Sequence, residues 1–117
     1  MQSMPSERRT TALYDIRDSI LLASNWLEGH DADSLALDTK TLYAIVRCLE
    51  IISEAARRLD DETLSRHPSQ PWKRIRGSGN IYRHEYDNVA SRFVHATVKD
   101  HLPSLLQVVT DEIDRLG

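Results

Sequence analysis

Apolar residues recur along this chain at the three- and four-residue intervals of a helix, in tracts separated by polar breaks. In the first tract Leu13, Ile16, Ile20, Ala23 and Leu27 line one face of a helix expected over roughly Arg9 to Glu28, with Gly29 as its C-terminal stop. Leu21, Leu22 and Trp26 widen the apolar surface beyond that stripe, which implies packing against two neighbours or against a second subunit. His30 to Leu37, rich in Asp and Ser, reads as a connecting loop. Leu42, Ile45, Leu49, Ile52, Ala56 and Leu59 then form the most regular repeat of the chain. They predict a second helix to about Leu59, with Asp38 or Thr39 as N-cap. Val46, Cys48 and Ile51 broaden its inner face.

Asp60 to His67 reads as a short helical turn, and Pro68-Ser69-Gln70-Pro71 as a break. Pro71-Trp72 is a helix start with proline in the first turn, and helix is expected on to about His84, weakened by Gly77 and Gly79. From Asp87-Asn88 the chain turns helical again, with Val89, Phe93, Ala96 and Val98 facing inward. Pro103 starts a fresh turn or kinks this helix, and Leu105, Leu106, Val109, Ile113 and Leu116 carry the apolar face to the C-terminus. No strand alternation and no internal repeat interrupts this pattern. The expected fold is all-α: an up-and-down bundle of four main helices plus a short one, in a single domain over residues 1–117 with 1–7 as a frayed arm.

A length of 117 residues suits one domain with its own core. The net charge of −3 means that the field of the whole molecule does not attract nucleic acid, so any such contact requires a local basic patch. The one cysteine, Cys48, excludes an intrachain disulfide and a cysteine-based zinc site, and its place in the second helix's apolar face reads as a small core residue. The N-terminal residues lack the apolar tract of a signal peptide, and no run reaches the length of a membrane span, so a cytoplasmic location with no membrane partner is expected.

The candidate for that local basic patch is the segment from Lys73 to Arg83, within the stretch Pro71 to Tyr86. On a helix Arg76, Asn80 and His84 fall at i, i+4 and i+8 and share one stripe, which Lys73 extends by a turn. These are sensible groups for a phosphodiester. Arginine binds phosphate with two parallel hydrogen bonds, asparagine donates to a non-bridging oxygen, and histidine exchanges protons near neutral pH. RNA carries its own nucleophile in the 2′-hydroxyl, and no His, Cys or carboxylate cluster suggests a metal site, so a metal-free, cofactor-free reaction fits. A solvated basic helix explains the same spacing, and both readings stand at this level. Gly77-Ser78-Gly79 follows no strand and lacks the Lys-Ser/Thr ending of a phosphate loop. Glu54 lies beside the apolar seam of the second helix, either as a surface ion-pair partner or as a carboxylate holding an arginine or histidine of the basic segment.

Four motifs occur in order: Leu49-Glu50-Ile51-Ile52-Ser53-Glu54-Ala55, Pro71-Trp72-Lys73-Arg74-Ile75, Gly79-Asn80-Ile81-Tyr82-Arg83-His84-Glu85-Tyr86, and Leu102-Pro103-Ser104-Leu105. Together they resemble the HepT-like branch of the HEPN superfamily over most of the chain. The resemblance implies a helical bundle that forms a homodimer, with a cleft at the dimer interface for metal-independent RNA cleavage. It also implies a toxin paired with a small nucleotidyltransferase antitoxin of the MntA type, which can transfer AMP to a tyrosine of the toxin. The family motif runs from an arginine and a polar residue through three variable positions to a histidine followed by X-Tyr. By position, His84 matches the histidine, Asn80 the polar residue and Tyr86 the modified tyrosine, while Gly79 stands where the family keeps arginine. Arg76, one turn earlier on the stripe of Asn80 and His84, is the expected substitute. Arg83 points about 100° away from His84 on a regular helix, and with Lys73 and Arg76 is expected to bind the RNA backbone. The alternative implied by Gly79 is a non-catalytic module that binds a nucleotidyltransferase or a nucleotide.

Overall fold

A computed structural model describes the backbone of residues 5–78 and 88–116, and the side chains of 7–78 and 91–116. The described chain is an all-α helical bundle. Helix α1 (Pro5–Leu27) packs along α3 (Thr39–Ala56) and against α7 (Leu102–Leu116), and the short α2 (Ala32–Leu37) lies across α6 (Asn88–Ala96). Helix α4 (Asp61–Ser65) is a single short piece, and α5 (Trp72–Gly77) docks on α3.

The two long apolar stripes set this arrangement. Leu13, Ile16, Ile20, Ala23 and Leu27 of α1 are all buried, as are Leu42, Ile45, Leu49, Ile52 and Ala56 of α3. Helix α1 starts at Pro5, with proline tolerated in a first turn whose N–H groups have no helical partner. It stops at Gly29, whose φ of +82° lies in the left-handed region that glycine adopts without penalty. No described atom lies within 4 Å of where a Cβ at Gly29 would sit. Gly29→Ala is therefore expected to cost only backbone strain, about 1 kcal/mol, read as a shift of the denaturant midpoint with an unchanged slope.

The tract 30–37, expected as a loop, holds the helix α2 instead. Asp31 caps it: its carboxylate accepts from the Ser34 N–H at 2.8 Å while the Ser34 hydroxyl accepts from the Asp31 N–H at 3.1 Å. One fully buried leucine, Leu35, anchors these six residues to the bundle. Asp38 then caps α3 as expected, accepting from the Thr41 N–H at 3.1 Å. Helix α3 ends at Ala56, short of Leu59, because the backbone tightens: the N–H groups of Arg58 and Leu59 reach back only three residues, to Ala55 and Ala56. Leu59 remains buried.

In α6 the inward register differs from expectation. Ser91 and Val94 are buried, whereas Phe93 is 45% exposed and Ala96 half-buried; Val98, just past the helix, is buried as expected, and the side chain of Val89 lies outside the described residues. Between α6 and α7 the residues Thr97–His101 form one wide turn, in which the Leu102 N–H bonds to the Thr97 carbonyl five residues back. Pro103 in a regular helix would press its ring on the carbonyl four residues earlier, and the wide turn accommodates it without breaking the rod. Leu105 and Val109 of α7 are buried, and so, unexpectedly, is Glu112.

The second apolar surface of α1 finds no cover within the described chain. Leu21, Leu22 and Trp26 are 50%, 46% and 39% exposed. Among the described residues, no helix is long and apolar enough to cross a membrane.

Candidate active site

Helix α5 is six residues long, too short to stand by propensity, and it is held by side chains at both ends. Pro71 is its N-cap, one position earlier than expected, and Trp72 its first residue. Trp72 is buried as the expected core anchor, and its Nε1–H donates to the His67 carbonyl at 2.9 Å. Ile75 packs on the core from the same side. At the far end the buried Ser53 of α3 donates its Oγ–H to the Arg76 carbonyl at 3.1 Å. The Ser78 hydroxyl and N–H both return to the Ile75 carbonyl, at 2.9 and 3.3 Å.

This docking sorts the basic residues of α5. Lys73 and Arg74 are exposed, and with Pro71, Trp72 and Gly77 they line an open surface depression. Arg76 is half-buried, and it forms no salt bridge with any described residue. A Cβ at Gly77 would meet no described atom within 4 Å, so packing among the described residues does not require glycine there. Lys73 and Arg76 thus share one docked helix, as expected. His84, Asn80, Arg83, Tyr86 and Gly79 lie outside the described residues, as does the expected run of helix from 79 to His84. Glu54 is exposed and makes no ion pair with a described residue. Cys48 is buried, and burial pushes its thiol above its ordinary pKa, as suits a core residue and not a nucleophile. Among the described residues no group of three or more His, Cys, Asp or Glu side chains is placed to hold a metal ion.

A charge cluster around the buried Glu112 lies on the connection that leads into α5, and the sequence pattern did not reveal it. Glu112 of α7 accepts from Arg66 Nε at 3.0 Å, from Arg66 Nη2 at 2.6 Å and from His67 Nε2 at 2.7 Å. A carboxylate only accepts, so His67 carries its proton on Nε2. Arg66 also reaches Glu62 at 3.3 Å and the Thr63 hydroxyl at 3.3 Å. The hydrogen bonds from Arg66, then from His67, hold the Glu112 carboxyl down at a pKa of about 2 against an ordinary 4.5, despite its burial. A depressed carboxyl stabilises the fold above its unfolded pKa and ceases to do so as pH falls through the folded value. Acid titration should therefore show stability draining between about pH 4.5 and 2, and Glu112→Gln should flatten that slope in urea melts taken across the range.

Residues 16–111 match the family described as ribonuclease HepT-like, which is most of the chain. The chain belongs to the HepT-like ribonuclease family.

Similar proteins agree with that assignment. The chain is 32% identical over 93 residues to a probable ribonuclease HepT of Thermococcus cleftensis, covering 80% of this chain and 84% of that one. It is 30% identical over 97 residues to a candidate RNase of Methanocaldococcus jannaschii, covering 83% and 89%. It is 32% identical over 89 residues to a candidate RNase of Caldanaerobacter subterraneus subsp. tengcongensis, covering 76% and 80%. No solved structure matches the chain significantly. The HepT-like match includes Ser53, Arg66, His67, Trp72 and the whole basic segment, and ends one residue before Glu112.

Proposed function

We propose that this chain is a metal-independent endoribonuclease, the toxin of a toxin–antitoxin pair, working as a homodimer with its cleft at the subunit interface. Membership of the HepT-like family over residues 16–111 carries this reading, because that span contains Asn80, His84 and Tyr86 in the family's spacing. In the proposed reaction His84 removes the proton of a ribose 2′-hydroxyl, the 2′-oxygen attacks the adjacent phosphorus, and the P–O5′ bond breaks as the 5′-oxygen takes up the proton that His84 gives back. The products are a 2′,3′-cyclic phosphate and a 5′-hydroxyl. Arg76 holds the scissile phosphate and Asn80 orients it. The half-buried position of Arg76 supports this role, since among the described residues its guanidinium is not committed to a carboxylate. The exposed Leu21, Leu22 and Trp26 support an apolar contact with a second chain.

Lys73, exposed on the same helix, binds backbone phosphate beside the cleft with Arg83. Lys73→Ala is expected to raise KM and to reduce the slope of log KM against log salt by about 0.7, as loss of one phosphate contact to single-stranded RNA requires. Tyr86 is the control point. Its phenolic oxygen attacks the α-phosphorus of ATP on an MntA-type nucleotidyltransferase, pyrophosphate leaves, and the resulting AMP places negative charge where RNA phosphate must sit.

A second reading rests on Gly79, which stands where the HepT-like motif has arginine. On that reading the chain is a non-catalytic module that binds a nucleotidyltransferase or nucleotide. Expression in cells lacking the antitoxin separates the two. Wild type should arrest growth and His84→Ala should not; unimpaired growth with wild type, or equal arrest by the variant, would favour the binding module.

A further inference from the structure

The carboxylate of Glu112 sits on the inward face of α7, in the register of Leu105 and Val109, and is 2% exposed. An apolar side chain would fill that position, and a buried ion pair gains little over one because desolvation offsets its attraction. What the pair does supply is a fixed place for two consecutive residues, Arg66 and His67, on an otherwise short connection between α4 and α5. The His67 carbonyl in turn accepts from the Gln70 N–H at 3.2 Å and from the Trp72 indole at 2.9 Å. Pro68 and Pro71 limit the backbone freedom of the same connection. Trp72 begins α5, and four residues on the Arg76 carbonyl is tied to Ser53.

We infer that Glu112 is a positioning residue for Arg76: through His67 and Trp72 it fixes where α5 sits on α3, and so where the Arg76 guanidinium reaches. This rests on the reading of Arg76 as the group that holds the scissile phosphate. Glu112 does not touch the RNA itself. Its effect is on geometry, and misplacement of a catalytic contact by about 1 Å can cost as much as 100-fold in rate.

The test is steady-state cleavage of labelled RNA by the full-length protein at a temperature where every variant is folded. Glu112→Gln is expected to lower kcat by about 10-fold or more with KM nearly unchanged. Glu62→Gln, which removes the exposed partner of Arg66, should leave both unchanged. His67→Ala should lose activity that His67→Gln, with an N–H near the same place, retains. In an Arg76→Ala background Glu112→Gln should add less than about twofold, because the contact it positions is already gone. Full additivity there, or losses that track only the fraction unfolded, would overturn the inference. If wild type cleaves no RNA, the ribonuclease reading fails, and hydrogen exchange at the Trp72 indole decides the positioning claim by itself. Glu112→Gln should then speed that exchange by about 10-fold or more relative to Trp26; unchanged exchange would overturn it.

Discussion

His84→Ala is expected to lower kcat for RNA cleavage by about 10³-fold, and Arg76→Ala by about 10²-fold. The larger loss falls on His84 because the 2′-hydroxyl is a poor nucleophile until its proton is taken, and no other imidazole lies near it in the sequence. His67 is occupied by Glu112, and His95 by the His30 carbonyl at 3.1 Å. The smaller loss falls on Arg76 because charge develops on the phosphate as the 2′-oxygen attacks, and a guanidinium stabilises that charge more than it does the ground state. Kinetics distinguish the two roles. Loss of a proton acceptor removes the rising limb of the pH–rate profile, whereas loss of a phosphate contact lowers the whole profile without moving it. Arg76→Lys should recover only part of the rate, since an ammonium cannot make the paired hydrogen bonds of a guanidinium.

The second large effect is on stability. Glu112→Ala should destabilise the fold by about 2–3 kcal/mol, because it leaves Arg66 and His67 facing a cavity with their hydrogen bonds unmade. The cost stays below that of a fully enclosed pair, since the Arg66 and His67 side chains keep 24% and 18% of their exposure and regain some hydration. For a domain of this size the melting temperature should fall by about 10 °C, measured by circular dichroism at neutral pH. A fall of less than about 2 °C would mean that the cluster is no stronger than a surface pair.

The parts of the fold that were legible in the sequence are those where one face is buried over many turns. The stripes from Leu13 to Leu27 and from Leu42 to Ala56 repeat often enough to fix both the helix and its inward side, and every one of those residues is buried. Helix α2 was not legible, because six residues with one buried leucine carry no periodicity, though the Asp31–Ser34 capping pair was a local signal for it. In α6 two registers competed. Phe93 is larger and more apolar than Val94, yet Val94 and Val98 are the residues that face the core. Burial there follows the rod that runs through the wide turn into Leu102 and Leu105, a constraint that lies downstream of Phe93.

The candidate site divides in the same way. Trp72 was legible because a proline-led helix start places it inward, whereas Asn80, His84 and Tyr86 lie outside the described residues. Ser53 and Glu112 were not legible. A serine in a strong apolar stripe looks incidental until the Arg76 carbonyl is found beside it. A glutamate between Val109 and Leu116 looks solvated until Arg66 and His67, more than forty residues away, are found on it. Long-range polar pairing leaves no period in a sequence.

Ribonuclease activity itself is tested by incubating 5′-labelled single-stranded RNA with the purified protein in excess chelator. Fragments ending in 2′,3′-cyclic phosphate are expected with wild type and not with His84→Ala. Intact RNA with wild type, or equal cleavage by His84→Ala, would contradict the proposed reaction.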